Sequence, residues 1–418
     1  MPHDFSAHEP RSFGSPPASG AGKRVLNADG DTDILVVGGG IAGAAAACEL
    51  AAFASVTLLE RESHCGYHST GRSAASFTES YGALTVRRLA IASRPFLEDP
   101  PEGFCAHPLL APRGTLTIAR ADQLEQLERE LETARALVPT VVAIDLAEAL
   151  ERVPILRREY VAGAFIEPHA MELDVNGLHQ GFLRAAKARG ARLMVNAGVE
   201  AIERAGERWR VATRVGTFRA PLIVNAAGAW ADAVAQLAGL SPLGVVPKRR
   251  TAFNIPAPPG MEIRRWPMVN DIAEQFYFKP DAGQLFVSPA DATPSPPMDA
   301  YPEDVDVARG VERLERATTL QVERVTRSWA GLRSFAADAL PVVGPDGGAE
   351  GFFWLAGQGG FGIKTSPALS RACACLIRER RLPQDLLRLG ITAADLSPER
   401  LRGAAPDDTH CSQTEISS

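Results

Sequence analysis

Gly38-Gly39-Gly40-Ile41-Ala42-Gly43 lies between a short apolar run, Ile34-Leu35-Val36-Val37, and an alanine-rich stretch that reaches about Ala52. Glycines at the first, third and sixth places of such a loop let backbone approach a pyrophosphate, which then rests on amides at the positive end of the following helix. A second apolar run, Ser55–Leu59, ends at Glu60, 17 residues beyond Gly43. A carboxylate at that place can accept hydrogen bonds from an adenosine ribose. The glycines alone are a weak signal. Strand, loop, helix, strand and acid within about 28 residues specify a dinucleotide site, without choosing between FAD and NAD.

A second group of residues follows. His68-Ser69-Thr70-Gly71-Arg72-Ser73-Ala74-Ala75 sets small and hydroxyl-bearing residues beside one guanidinium. That mixture can wrap a pyrophosphate and run along a flavin; it suits a mobile loop equally well. Towards the C-terminus, Phe352–Leu355 reads as a buried strand, and Gly357-Gln358-Gly359-Gly360 leads into a helix to about Arg380. The positive end of that helix would stabilise negative charge developing beside the turn. The six cysteines form no C-x-x-C pair, so neither a zinc site nor a redox dithiol is expected, and no metal.

The elements that must hold these groups are those of an ordinary globular chain. Its 418 residues are 45% hydrophobic and 22% charged, which excludes disordered, collagen-like and coiled-coil classes. A net charge of −6 argues against general nucleic-acid binding. Arginine outnumbers lysine 39 to 5, a compositional bias, so an arginine counts only by its position. No apolar run reaches the roughly 18 residues of a spanning helix. Residues 1–30 hold four Gly, four Pro and four Ser without an apolar core; they are expected to be a disordered extension and not a signal peptide. Residues 403–418 are expected to be a disordered polar tail. The sparse, scattered cysteines fit a reducing, cytoplasmic setting.

Between the two nucleotide-type segments, Leu124, Leu127, Leu131 and Ala134 place one apolar stripe on a helix over 122–138. A helix is expected from Asp174 to Arg189, then strands at Arg192–Asn196, Trp209–Thr213 and Leu222–Val224. Gln275–Lys279 and Gln284–Ser288 read as a hairpin closed by Pro280-Asp281-Ala282-Gly283. The order implies interleaving. A nucleotide-binding domain spans 31–78, 160–238 and 326–402, and a second domain spans 79–159 and 239–325.

Five stretches resemble the FAD-dependent D-amino-acid oxidase superfamily, and most of all its bacterial D-arginine dehydrogenase branch. They are Gly66–Ala75, Val224–Trp230, Pro247–Arg250, Trp329–Ser334 and Gln358–Ile363. The resemblance implies an α/β (α+β overall) architecture. A Rossmann-type FAD domain would be interleaved with a substrate domain built on a mostly antiparallel sheet. It assigns Gly38, Gly40, Ile41, Ala42, Gly43, Glu60, Arg61, Ser69, Thr70, Arg72, Ser73, Val199 and Gly228 to FAD binding. Gly359, Gly360, Gly362, Ile363, Lys364 and Thr365 would border the flavin ring. No cysteine falls in the flavin-contacting motifs, so FAD is expected to be non-covalent.

The chemistry implied is oxidative deamination of a D-amino acid to a 2-oxo acid and ammonia, by hydride transfer to flavin N5. Electrons would pass on to a quinone or another acceptor, in the cytoplasm or at the inner face of a membrane. Arg250 and Arg333 match the family's carboxylate-holding arginines, Tyr277 a hydroxyl that joins them, and Tyr81 an aromatic residue in a lid loop. Ser76, Thr115, Met268 and Asn270 match the substrate pocket. Arginine-preferring members carry an acid where this chain has Thr115, and a histidine where it has Ser76. Neutral and apolar D-amino acids are therefore expected to serve at least as well as D-arginine, unless an acid such as Glu79 swings in. Competing expectations are an oxidase or demethylase of N-methyl or cyclic amino acids, and a flavin-binding subunit without catalysis.

Overall fold

The computed structural model describes residues 30–402; the expected N-terminal extension and C-terminal tail lie outside them. Two sheets dominate. The first has six strands in the order Arg192–Met194, Val56–Leu59, Ile34–Val37, Leu222–Asn225, Phe352–Ala356, Val342–Pro345. All neighbours are parallel except the last pair. Ile34–Val37 and Val56–Leu59 are buried along their whole length, the pattern of parallel strands covered on both faces.

Helices Ile41–Leu50, Val175–Ala188 and Gly362–Glu379 cover one face. Ala44, Ala45, Ala46 and Ala47 are all fully buried, and their small side chains let the first helix sit close between its neighbours. The other face carries Val211 and Phe218 from a small sheet of Gly30–Asp31, Gly216–Ala220, Arg208–Thr213 and Val199–Ala205, together with helix Ala231–Leu237.

The second large sheet runs Gln358–Gly359, Arg327–Phe335, Val246–Pro256, Gln284–Ser288, Tyr277–Asp281, Met268–Asp271, Thr115–Ala119, Gly163–Glu167, Val142–Ile144. It is antiparallel except where Met268 pairs with Thr115 in a parallel register, in line with the expected architecture. The hairpin forms with Asp281 opposite Gln284. Ala282 and Gly283 both have positive φ, 46° and 80°, as a tight two-residue turn requires.

Three segments sit elsewhere than the sequence boundaries placed them. Gly163–Glu167 and Arg327–Phe335, assigned to the nucleotide-binding domain, are strands of the second sheet. Helix Leu84–Glu98, assigned to the substrate domain, packs on the final helix and adds Leu89, Ala90 and Leu97 to the nucleotide-side core. An apolar strand or stripe read locally shows that it will be covered, not which layer covers it. Among the described residues no helix is long and apolar enough to cross a membrane.

Candidate active site

The glycine loop divides its labour by position. A Cβ on Gly38, whose φ is +107°, would lie 2.4 Å from the Ala226 carbonyl, and one on Gly43 would lie 1.9 Å from the Gly38 carbonyl. Those two glycines let helix and strand approach. Around Gly40 the nearest atom is Thr70 Oγ1 at 3.3 Å, and beyond it lies open cavity. Gly43 does not line that cavity; its role is packing. Glu60 is buried, and its oxygens accept from the amides of Gly39 and Glu62, each at 2.8 Å. A carboxylate has about four acceptor sites, so two remain for a ribose. His179, which the sequence reading passed over, holds the loop from beneath, its Nε2 2.9 Å from the Gly39 carbonyl. Burial holds its ring below the usual imidazole range.

One continuous cavity of about 1570 Å³ runs between the two sheets. Glu60, Arg61 and Val199 line its first end, with Gly38, Gly40, Ile41, Ala42, Ser69, Thr70 and Gly228 beyond them. Gly359, Gly360, Gly362 and Ile363 line it as well. The strand Gln358–Gly359 leaves the first sheet and pairs with Ser334 and Phe335 of the second. The final helix thus begins at the junction of the layers, with its N-terminus on the cavity.

This geometry fits FAD: a glycine with no Cβ where the backbone must approach, an acceptor carboxylate at the ribose end, and room for a whole dinucleotide with a substrate beyond. No cysteine lines the cavity among the described residues.

Several expected cofactor contacts have other partners. The Arg72 guanidinium donates to the carbonyls of Ala300 and Ala330 and pairs with Asp299. Ser69 Oγ donates to the Leu332 carbonyl, and Ser73 Oγ accepts from Ala75 N. Ser69–Arg72 is therefore a 3₁₀ turn fastened to the second sheet. Thr365 is fully buried, its hydroxyl on the Phe361 carbonyl, and does not line the cavity. Lys364 lines the wall, and its ammonium is engaged by the carbonyls of Thr78 and Tyr81.

At the deep end, Lys248 pairs with Arg333 and Arg250 with Gly331. Alternation then puts Arg250 and Arg333 on one face of the sheet. Among the described residues neither guanidinium meets a carboxylate or a hydrogen-bond acceptor, and the Nε of each is buried without a partner. Burial first, and the neighbouring Arg250 second, hold Arg333 below the usual guanidinium range. Tyr277 lies under Arg250, 5.9 Å from ring centroid to guanidinium carbon, and stacks on Phe286. Tyr81 stands at the mouth and donates to Glu274 Oε1 at 2.8 Å.

Ser76, Thr115, Met268 and Asn270 all line the same cavity as the arginines. Thr115 is 5% exposed and lies directly opposite Glu167, which is 1% exposed and also lines the cavity. The sequence did not single out Glu167, because nothing local marks it. Glu79 cannot supply a pocket charge as placed, for its carboxylate is paired with Arg94 at 2.7 Å.

Fold and site together define a two-layer flavoprotein oxidoreductase. A family model for the DAO-type FAD dependent oxidoreductases matches residues 33–376; the chain belongs to that family, and its cofactor is FAD. The glycine oxidase of Geobacillus kaustophilus (strain HTA426) is 27% identical over 376 residues, covering 86% of this chain and 96% of that protein. The mitochondrial dimethylglycine dehydrogenase of Rattus norvegicus is 23% identical over 380 residues, 85% of this chain but only 44% of the longer protein. The crystal structure of L-proline dehydrogenase from P. horikoshii superposes with a TM-score of 0.77 at 23% identity, covering 90% of this chain and 98% of that one. These relatives support the superfamily and do not single out its D-arginine dehydrogenase branch.

Proposed function

We propose that this chain oxidises an amino acid at its Cα–N bond, holding the substrate carboxylate between Arg250 and Arg333. The observation that carries the reading is two adjacent, half-buried guanidiniums whose Nε atoms have no partner, with no carboxylate among the described residues within ion-pair distance of either; Glu274 and Asp291 act on them only at longer range. Leaving such charges unpaired costs several kcal/mol; a bound carboxylate offsets that cost through charge-assisted, two-pronged contacts. The Arg333 guanidinium packs against Gly360 of the turn expected to border the flavin, so a carboxylate fixed there brings the substrate's Cα beside that turn.

FAD, when bound, supplies the two-electron acceptor for the Cα hydrogen. The protein orients the substrate through Arg250, Arg333 and the Tyr277 hydroxyl, and Tyr81 covers the mouth. The substrate leaves as an imine, which water converts to a 2-oxo acid and ammonia, and the electrons go on to a quinone or another acceptor. Within this reading we take D-amino acids as substrates, with a preference for neutral and apolar side chains, because Thr115 offers no charge and the Glu167 carboxylate opposite it is already engaged by the Glu79 amide and the Ser80 hydroxyl. Glycine, N-methyl or cyclic amino acids form a second reading, favoured by the glycine oxidase that matches nearly end to end. An anaerobic screen of D-, L- and N-methyl amino acids for flavin reduction decides between them. Reduction by sarcosine or L-proline and not by D-leucine would replace the first reading with the second.

A further inference from the structure

We propose that Lys364 and Glu167 form a charged clamp that holds the segment Thr78–Gly82 against the substrate end of the cavity, making both of them positioning residues for substrate capture. The capture role rests on the proposed function; the clamp rests on the structure alone.

Lys364 is the third residue of the final helix and is 4% exposed. Its Nζ donates to the Thr78 carbonyl at 2.8 Å, the Tyr81 carbonyl at 2.9 Å and Thr78 Oγ1 at 3.4 Å. Glu167 closes the strand Gly163–Glu167 and grips the same segment by its donors: Oε1 accepts from the Glu79 amide at 2.9 Å, and Oε2 from the Ser80 hydroxyl. Carbonyls are thus held by a cation from the first layer, and donors by an anion from the second. Arg87 Nε reaches the Gly82 carbonyl, and Arg94 holds the Glu79 carboxylate. The segment carries Tyr81 to the cavity mouth.

A buried lysine at a helix N-terminus is a costly way to fill space. Here all its hydrogen bonds go to one five-residue segment, and no carboxylate is close enough to form an ion pair among the described residues. Such an arrangement makes sense as a hold on that segment. The groups that face Nζ are the Glu167 and Glu79 carboxylates, the Arg87 guanidinium and the rings of Tyr81 and Phe361. Burial pushes the ammonium down to about 8, with Arg87 adding to that and the two carboxylates opposing it. The proton is bound below that value and lost above it. Charge-assisted hydrogen bonds are roughly twice as strong as neutral ones, so the grip weakens as pH rises through about 8.

The test is amide hydrogen exchange over Thr78–Gly82 in the FAD-loaded full chain at pH 7, 8 and 9, corrected for the intrinsic pH dependence of exchange. It is paired with the apparent Kd and limiting rate of anaerobic flavin reduction by the best amino acid. Protection of the segment in the unmodified protein should fall about tenfold between pH 7 and pH 9. In Lys364→Met it should already be low at pH 7, with the apparent Kd rising more than the limiting rate falls. Lys364→Arg should keep protection at pH 9. Should Lys364→Met fail to fold, the pH series and Lys364→Arg decide alone. Protection that is flat with pH, or equal in Lys364→Met and the unmodified protein, would overturn the clamp. Lost protection with an unmoved Kd would overturn the capture role. If no amino acid reduces the flavin, the proposed function fails and capture with it, while exchange still decides the clamp.

Discussion

Arg333 carries a conflict between stability and binding. Its Nε is buried without a partner beside Arg250, and no carboxylate among the described residues is within ion-pair distance, so Arg333→Met, which keeps the stem and removes the charge, should leave Tm unchanged or raise it. The same change should cost about 2–5 kcal/mol of transition-state binding, read as a fall in kcat/KM with FAD content intact. A lower Tm with undiminished kcat/KM would place Arg333 among the structural residues. In the side-chain pocket, Thr115→Glu should raise kcat/KM for D-arginine relative to D-leucine, because Thr115 offers a cation only a neutral hydroxyl and the Glu167 carboxylate opposite it is already engaged by the Glu79 amide and the Ser80 hydroxyl. A strong preference for D-arginine before the change would contradict that. These roles were unequally legible. Arg250 and Arg333 are unremarkable arginines in an arginine-rich chain until the surrounding motifs are matched. Lys364 sits in the turn expected to border the flavin, yet its direction is set by carbonyls 286 and 283 residues away. No local pattern encodes that.

The glycine loop and its helix were legible almost residue by residue, because a strand, a tight turn and a helix start constrain one another within a few positions. The loop also gives a clean pair of variants. Gly43→Ala puts a Cβ 1.9 Å from the Gly38 carbonyl; it should destabilise the fold by a few kcal/mol and lower the Tm of the protein stripped of FAD. Gly40→Ala meets only Thr70 Oγ1 at 3.3 Å. It should leave that Tm nearly unchanged while FAD affinity falls at least tenfold, measured by titrating stripped protein with FAD. Equal losses of Tm would show that the open side of Gly40 is not where the pyrophosphate passes. Strands Gly163–Glu167 and Arg327–Phe335 were harder to allocate. Their partners are Thr115–Ala119 and Val246–Pro256, so sheet membership depends on pairings far away in sequence. Misplacing them hid Glu167, since its position opposite Thr115 exists only in the assembled sheet.

Both layers contribute to the cavity wall, and the chain crosses between them several times, so the site exists only when the whole molecule is folded. A ligand that binds only the folded state adds stability by mass action, about 2.7 kcal/mol at a hundred times its Kd. FAD in excess should therefore raise Tm with increasing concentration, and in Gly40→Ala the same shift should need at least ten times more FAD. With no cysteine on the cavity wall among the described residues, acid precipitation should release the yellow colour into the supernatant; a yellow pellet would mean a covalent link. The central claim is that two unpaired arginines hold an amino acid's carboxylate where FAD can take its Cα hydrogen. The direct measurement is anaerobic mixing of the FAD-loaded protein with amino acids and with the matching amines that lack the carboxylate, following loss of the oxidised flavin's visible band. At least one amino acid should reduce the flavin rapidly, its decarboxylated amine should not, and Arg333→Met should abolish the difference. Equal reduction by the amine, or no reduction by any amino acid, would contradict the account.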